Sequence, residues 1–175
     1  MPKSPAAQLR DAWGALAPLP GGKWLFSRLF GYLVPYTGSI GAAVEELRPG
    51  YARLSITERR ALRNHLNSVH AVALVNLAEA TTGLAMSVGL PDHGRAIVTR
   101  LGIEYLKKSR GRLTCECDTG IPDVSHEHDV EVRADVKDAA GDVVARFHVF
   151  WRVGPDPKKV AAPAPAPAAT AAGAP

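Results

Sequence analysis

The stretch VHAVALVNLAEATTGLAMSVG, residues 69–89, decides the fold. Nearly every position is apolar or small on every side of a helical wheel, and a helix that is apolar all round is buried all round. Ser68 stands where an N-cap is wanted, and Gly89 followed by Leu90-Pro91 supplies a stop. The alanines and Gly83 let another layer, or a partner, approach closely. One charge, Glu79, interrupts the stretch, and no Lys or Arg on the helix balances it. A buried ionised carboxylate without a partner is expensive. Glu79 therefore pairs with a residue elsewhere, shifts its pKa upward, or faces a wet cleft. An ion pair with a strand Arg, or exposure at a helix bulge, makes it structural; a perturbed carboxylate in a cleft is the pattern of a general base.

Outward from this helix the period changes from helical to two. Strands are expected over residues 38–47 and 51–57, joined at Arg48-Pro49-Gly50, and after the helix over 97–106, 112–119, 124–136 and 143–153. In the third, Ile97, Leu101, Ile103 and Tyr105 are expected on one face; in the last, Val143, Ala145, Phe147, Val149, Trp151 and Val153. The order β-β-α-β-β-β-β is an α+β pattern: an antiparallel sheet with one apolar face, and one long helix to cover it. Two helices are expected before it, over residues 6–17 and 23–34. The second carries Trp24, Leu25, Leu29 and Leu33 on one face, expected to pack on the domain edge. From Pro155 onward the chain is rich in Ala and Pro with no large apolar residue, the composition of a disordered tail. The expected division is residues 1–37 as a helical extension, 38–154 as the domain and 155–175 as tail.

Bulk properties exclude several classes. A net charge of +4 over 175 residues, with acidic residues interspersed, gives no reason to invoke a nucleic-acid partner. The two cysteines, Cys115 and Cys117, fall on one strand face, cannot easily bridge, and fit a reducing compartment; the cytoplasm is expected. The start lacks a signal-peptide layout because Asp11 interrupts it, and no membrane span is expected. His126 and His128 form a pair without a third metal ligand, expected in the core or at an interface, so no metal is expected. Cys115 has no local sign of activation, and no phosphate-cradling glycine loop is present.

The polar segment before the helix, RRALRNHLNS at residues 59–68, leads into a helix N-terminus, where free N–H groups and the dipole stabilise negative charge. Asn64, His65, Asn67 and His70 cluster there, in an active-site layout. Individually, His65 and His70 are expected to cap and pin the loop.

The run Asn64-His65-Leu66-Asn67-Ser68-Val69-His70-Ala71, leading into a helix with Glu79, resembles the hot-dog-fold thioesterases. The resemblance is to the branch of the phenylacetate-pathway and 4-hydroxybenzoyl-CoA thioesterases, and within it to the DUF4442 group. Asn64 precedes His70 by six residues and Glu79 follows it by nine, as in that pattern. IVTRLGIEYLKKSRGRL, residues 97–113, resembles the family's third strand and following turn. The family's His-Gly-Gly is here His70-Ala71-Val72; Ala71 keeps the backbone N–H, while Val72 narrows the space.

The resemblance implies a sheet wrapped around the helix and hydrolysis of acyl-CoA. It makes Glu79 the general base or nucleophile, Asn64 the residue orienting water or thioester, and the Ala71 N–H the oxyanion donor. His70 would lie against the substrate, and Lys107, Lys108, Arg110 and Arg112 would meet the CoA phosphates unless they are a solvated hairpin tip. No cofactor is implied, since coenzyme A is part of the substrate. A homodimer, or a dimer of dimers, is implied as well. Ala71 and Glu79 are eight positions apart, about 12 Å along the axis, so one helix cannot easily supply both to one thioester. A non-catalytic acyl or acyl-CoA binding module and a hot-dog dehydratase or hydratase are the alternatives. The first gains nothing from a buried carboxylate; the second lacks its usual His and Pro-rich loop here.

Overall fold

The computed structural model describes residues 4–160. Helices α1 (Pro5–Leu16), α2 (Gly22–Leu33) and α3 (Pro35–Gly38) precede strands β1 (Ala43–Arg48) and β2 (Tyr51–Thr57). A 3₁₀ turn, Arg60–Leu62, leads to the long helix α4 (Ala71–Gly89). Strands β3 (Gly94–Tyr105), β4 (Arg112–Asp118), β5 (His128–Lys137) and β6 (Val143–Pro155) follow, then a short helix α5 (Pro157–Val160). The six strands form one antiparallel sheet in the order β1-β2-β4-β5-β6-β3.

The sheet wraps α4. Leu74, Leu77, Ala78, Leu84, Ala85 and Met86 of the helix are buried against Leu54, Ile56, Leu113, Cys115, Val136, Phe147 and Val149 of the strands. Small residues let the helix lie close: Ala78 and Ala85 have no exposed surface. The two buried threonines satisfy their hydroxyls locally, Thr81 Oγ1 donating to the Leu77 carbonyl at 2.7 Å and Thr82 Oγ1 to the Glu79 carbonyl at 3.1 Å. By length and composition alone α4 is long and apolar enough to cross a membrane, but 67% of that apolar window is buried inside the protein, as for the core helix of a globular domain.

The helical N-terminal segment is part of this body. Phe26 joins the same core and meets Trp13 edge-on at 5.0 Å. Arg10 Nη1 donates to the carbonyls of Val88 and Leu90 at 3.2 and 3.1 Å, satisfying the C-terminal end of α4. The face of α2 expected to pack is the exposed one: Trp24 is 67% and Leu33 72% accessible. Phe26 and Phe30 dock instead, because Trp13 offers Phe26 a partner and Ser27 Oγ accepts the Val44 N–H at 2.9 Å, fixing the helix by that side.

Several strand boundaries differ from expectation. Residues 38–42 are not extended: Pro35 starts α3, and the chain turns through Gly41 at φ 66° before β1. Gly38 crosses Gly31 so closely that a Cβ would fall 2.2 Å from the Gly31 carbonyl oxygen. Residues 124–127 form a loop around Asp123, whose Oδ1 accepts the Ser125 N–H at 2.9 Å. At the other end β6 runs past residue 153, pairing Pro155 with Gly94. Of the tail expected over residues 155–175, the first part is ordered instead, Pro155 closing β6 and Pro157–Val160 forming a helical turn, and residues 161–175 lie outside the described residues.

In β3 a bulge between Val98 and Arg100 inverts the side-chain alternation. Leu101, Ile103 and Tyr105 pair with inward-facing Val149, Phe147 and Ala145, whereas Ile97 pairs with outward-facing Arg152. Ile97 therefore leaves the face it was expected to share. β3 is also a sheet edge, and Ile97 and Tyr105 are 64% and 51% exposed along it.

Candidate active site

The N-terminus of α4 is held by a lock between two loops. Ser68, expected as the N-cap, instead exchanges two hydrogen bonds with Ser109: its Oγ donates to the Ser109 carbonyl and accepts the Ser109 N–H, both at 3.0 Å. The Val69 N–H adds a third to the Ser109 carbonyl at 2.8 Å. Asn67 turns the chain at φ 52°, a left-handed conformation that Asn tolerates better than most residues. The cap falls two residues later than expected, at His70, whose Nδ1 accepts the Val72 N–H at 3.1 Å. His70 thus acts as a cap, the local role expected of it.

Asn64 Oδ1 accepts the N–H groups of Leu66 at 2.9 Å and Ser68 at 3.3 Å. Its carbonyl end shapes the loop, leaving the amide nitrogen as the part able to meet a ligand. With the Val72 N–H taken by His70 and the Ala73 N–H by the His70 carbonyl, the Ala71 N–H has no partner among the described residues. Tyr105 Oη donates to the Ala71 carbonyl at 3.3 Å, tying this terminus to the end of the edge strand. Val72, the departure from the family's glycine, is 48% exposed and stands on the rim of the terminus.

The four basic residues of the following turn do not converge. Lys107 Nζ lies 2.7 Å from both Asp138 and Asp142. Arg112 pairs with Glu45 on the outer face of the sheet. Arg110 Nε donates to the Asn67 carbonyl at 3.0 Å, which leaves Arg110 and the exposed Lys108 beside the helix terminus.

Glu79 is half-buried, and among the described residues its carboxylate makes no ion pair or hydrogen bond. No ion pair is made, and burial pushes the carboxyl above its ordinary value. The next turn of the helix carries Gly83. A Cβ there would stand 3.9 Å from Glu79 Oε1 and 3.6 Å from Trp151 Cη2, ordinary contact distances, so the carboxylate and the indole ring both reach the helix surface at Gly83. Sequence reading placed Trp151 among the inward residues of the last strand and missed this contact. Register was the available signal, since Trp151 pairs with Val98 of the edge strand.

Other candidates are remote. Two open clefts of about 870 and 490 Å³ lie on the outer side of the sheet, and neither is lined by Glu79 or Ala71. Cys115 and Cys117 are buried, and burial pushes both thiols up to about 12, which makes them inert. His126 and His128 stack at 4.7 Å; His126 is exposed in the loop before β5 rather than in the core. Among the described residues no group of three or more His, Cys, Asp or Glu could hold a metal ion.

A six-stranded antiparallel sheet wrapped around one long helix defines the hot-dog fold. The chain belongs to the DUF4442 family, described as a domain of unknown function, whose model matches residues 22–153. That match includes α2, in line with the burial of Phe26 in the common core. Among solved structures, a structural-genomics protein is similar at 27% identity, with a TM-score of 0.73 over 86% of this chain and 98% of its own. PA5026 from Pseudomonas aeruginosa, described as a probable thioesterase, is 22% identical with a TM-score of 0.69, over 78% of this chain and 97% of its own. A thioesterase family protein from Silicibacter pomeroyi is 16% identical with a TM-score of 0.63, over 74% and 96%. No curated protein matches the chain.

The burial of Glu79 has a consequence for stability. A carboxyl whose folded pKa lies above its unfolded value holds its proton more tightly in the folded state. Its contribution is fully present below the ordinary value of 4.5 and is lost as pH rises through the folded pKa. Glu79→Gln removes that loss. The variant is expected to gain urea midpoint over the wild type at pH 7.5 and to gain less at pH 4. An equal difference at both values would show that the carboxylate is not destabilised by burial.

Proposed function

We propose that this protein is a thioesterase that hydrolyses acyl-CoA or a related acyl thioester, with Glu79 activating the attacking water. The observation that carries the proposal is the unpartnered, half-buried carboxylate on an otherwise apolar helix. Nothing in the fold rewards a charge there, whereas a general base gains from a pKa raised toward the working pH. The names given to the Pseudomonas and Silicibacter structures point the same way.

In the proposed reaction Glu79 takes one proton from water as the water oxygen bonds to the thioester carbon. The carbonyl electron pair moves to oxygen, where the Ala71 N–H receives the developing charge, and the Asn64 amide steadies the thioester. Collapse re-forms the carbonyl, breaks the carbon–sulfur bond, and returns the proton from Glu79 to the departing thiolate. His70 holds the helix terminus in place beside the acyl group. Arg110 and Lys108, beside the helix terminus, are the cations proposed to meet the CoA phosphates, since Lys107 and Arg112 are engaged with carboxylates. The chemistry needs no cofactor. Two buried free thiols suit a reducing cytoplasm.

Each site is proposed to be shared between two chains. Glu79 and Ala71 are about 12 Å apart along one helix, too far to serve one carbonyl. The open edge of β3, with Ile97 exposed along it and Tyr105 bonded to Ala71, offers the place for a two-fold partner. Antiparallel pairing of two such edges would bring Glu79 of one chain toward Ala71 of the other.

Glu79→Gln is expected to stay folded and to lose about 10²–10⁴-fold in hydrolysis, measured as thiol release from a panel of acyl-CoAs. Hydrolysis near the wild-type rate by the folded variant would refute the assignment. The donor can be removed cleanly as well. Ala71 is the first residue of the helix, where proline is well tolerated, and His70 at φ −61° and ψ 137° already has the conformation a residue before proline prefers. Ala71→Pro should therefore keep the helix and lose about 10²–10³-fold in kcat. When the two inactive variants are unfolded, mixed and refolded together, each mixed dimer should regain one intact site. Mixed dimers that form and stay inactive would contradict a shared site.

A further inference from the structure

We infer that the indole N–H of Trp151 holds the attacking water against Glu79, making Trp151 a positioning residue for the reaction. The inference rests on the thioesterase proposal above and deepens it.

Trp151 is 6% exposed, and its Nε1 is buried without a hydrogen-bond partner. Buried donors left unpaired are rare in native proteins and ask for an explanation. Trp151 lies on the inner face of β6, between Val130 of β5 and Val98 of β3. The edge of the ring facing α4 is the one carrying Cη2 and Cζ2, which lie 3.6 and 3.9 Å from the Cβ position of Gly83. Cζ2 and Nε1 are bonded to the same ring carbon, so the N–H is the next substituent along the ring from that edge. Glu79 Oε1 stands 3.9 Å from the same Cβ position.

Two side chains, each with a polar group that lacks a protein partner among the described residues, thus meet at Gly83, one a donor and the other an acceptor. The molecule that satisfies both must accept from the indole and donate to the carboxylate. Water does this. An N–H donating to one lone pair of that water, and Glu79 accepting one of its protons, leave the second lone pair free to attack the thioester carbon. A phenylalanine at position 151 would keep an aromatic ring on the sheet face, but it would leave the water held by the carboxylate alone.

The test separates the N–H from the bulk of the ring. Trp151 is replaced by β-(3-benzothienyl)alanine, which exchanges N–H for sulfur at nearly constant shape, and in parallel by Phe. Both variants are expected to lose about 10- to 100-fold in kcat with acyl-CoA while KM changes less than about twofold. Hydroxylamine, a nucleophile that does not depend on a held water, should be used by them relatively more than by the wild type. A readout independent of turnover is the indole ¹⁵N–¹H resonance of Trp151, assigned among the three tryptophans by its loss in Trp151→Phe. It should move with pH as Glu79 titrates and stop moving in Glu79→Gln. A benzothienyl variant with wild-type kcat, beside an inactive Glu79→Gln, would overturn this inference and leave the thioesterase proposal standing. Wild-type hydrolysis by Glu79→Gln would overturn the thioesterase proposal itself. An indole resonance indifferent to pH and to Glu79→Gln would overturn the placement of water between the two groups.

Discussion

A carboxylate without a protein partner, set midway along a helix that a sheet encloses, is the constraint around which this structure is arranged. Everything else about α4 favours burial: its apolar surface, its alanines, its internally bonded threonines. Glu79 works against that burial, and burial in turn pushes its pKa upward. The protein relieves the conflict only in part. Gly83 withholds a side chain beside the carboxylate, where the Trp151 ring also reaches the helix.

The helix terminus is organised by different means. Ser68, Val69 and Asn67 bind the loop before α4 to the turn at Ser109 and Arg110, so two chain segments about forty residues apart move as one unit. Glu58 extends the lock by accepting the Gly111 N–H at 2.6 Å and pairing with Arg63 at the same distance. The Gly111 N–H, then Arg63, hold its carboxyl below the usual range. His70 closes the first turn and so leaves the Ala71 N–H as the donor that remains. The two halves of the proposed chemistry thus lie at different heights on one helix, which is why a second chain enters the account.

Much of this was legible in the sequence where one physical signal dominated. The all-round apolar stretch gave away the central helix, and period two gave away five of the strands closely and β1 in its second half. Glu79 stood out because charge on such a helix has no cheap explanation. What was not legible depended on tertiary partners. The bulge after Val98 reverses which face Ile97 occupies, and nothing in the alternation announces it. The buried side of α2 is chosen by Trp13 and Ser27 rather than by the helix's own apolar stripe. Ser68 looked like a cap because serine commonly is one; the nearby Ser109 backbone claimed it first. The basic run from Lys107 to Arg112 read as one anion site, but Asp138, Asp142 and Glu45, distant in sequence, divide it.

The central claim is that Glu79 is kept unpaired and protonates more readily than an ordinary glutamate. The most direct measurement is the side-chain carboxyl ¹³C shift of Glu79 followed through a pH titration, with the signal assigned by its loss in Glu79→Gln. A midpoint clearly above the ordinary value of 4.5 is the predicted result. A midpoint at or below 4.5 would mean that a cation or hydrogen-bond donor satisfies the carboxylate in solution, and the account of the site built on it would be wrong.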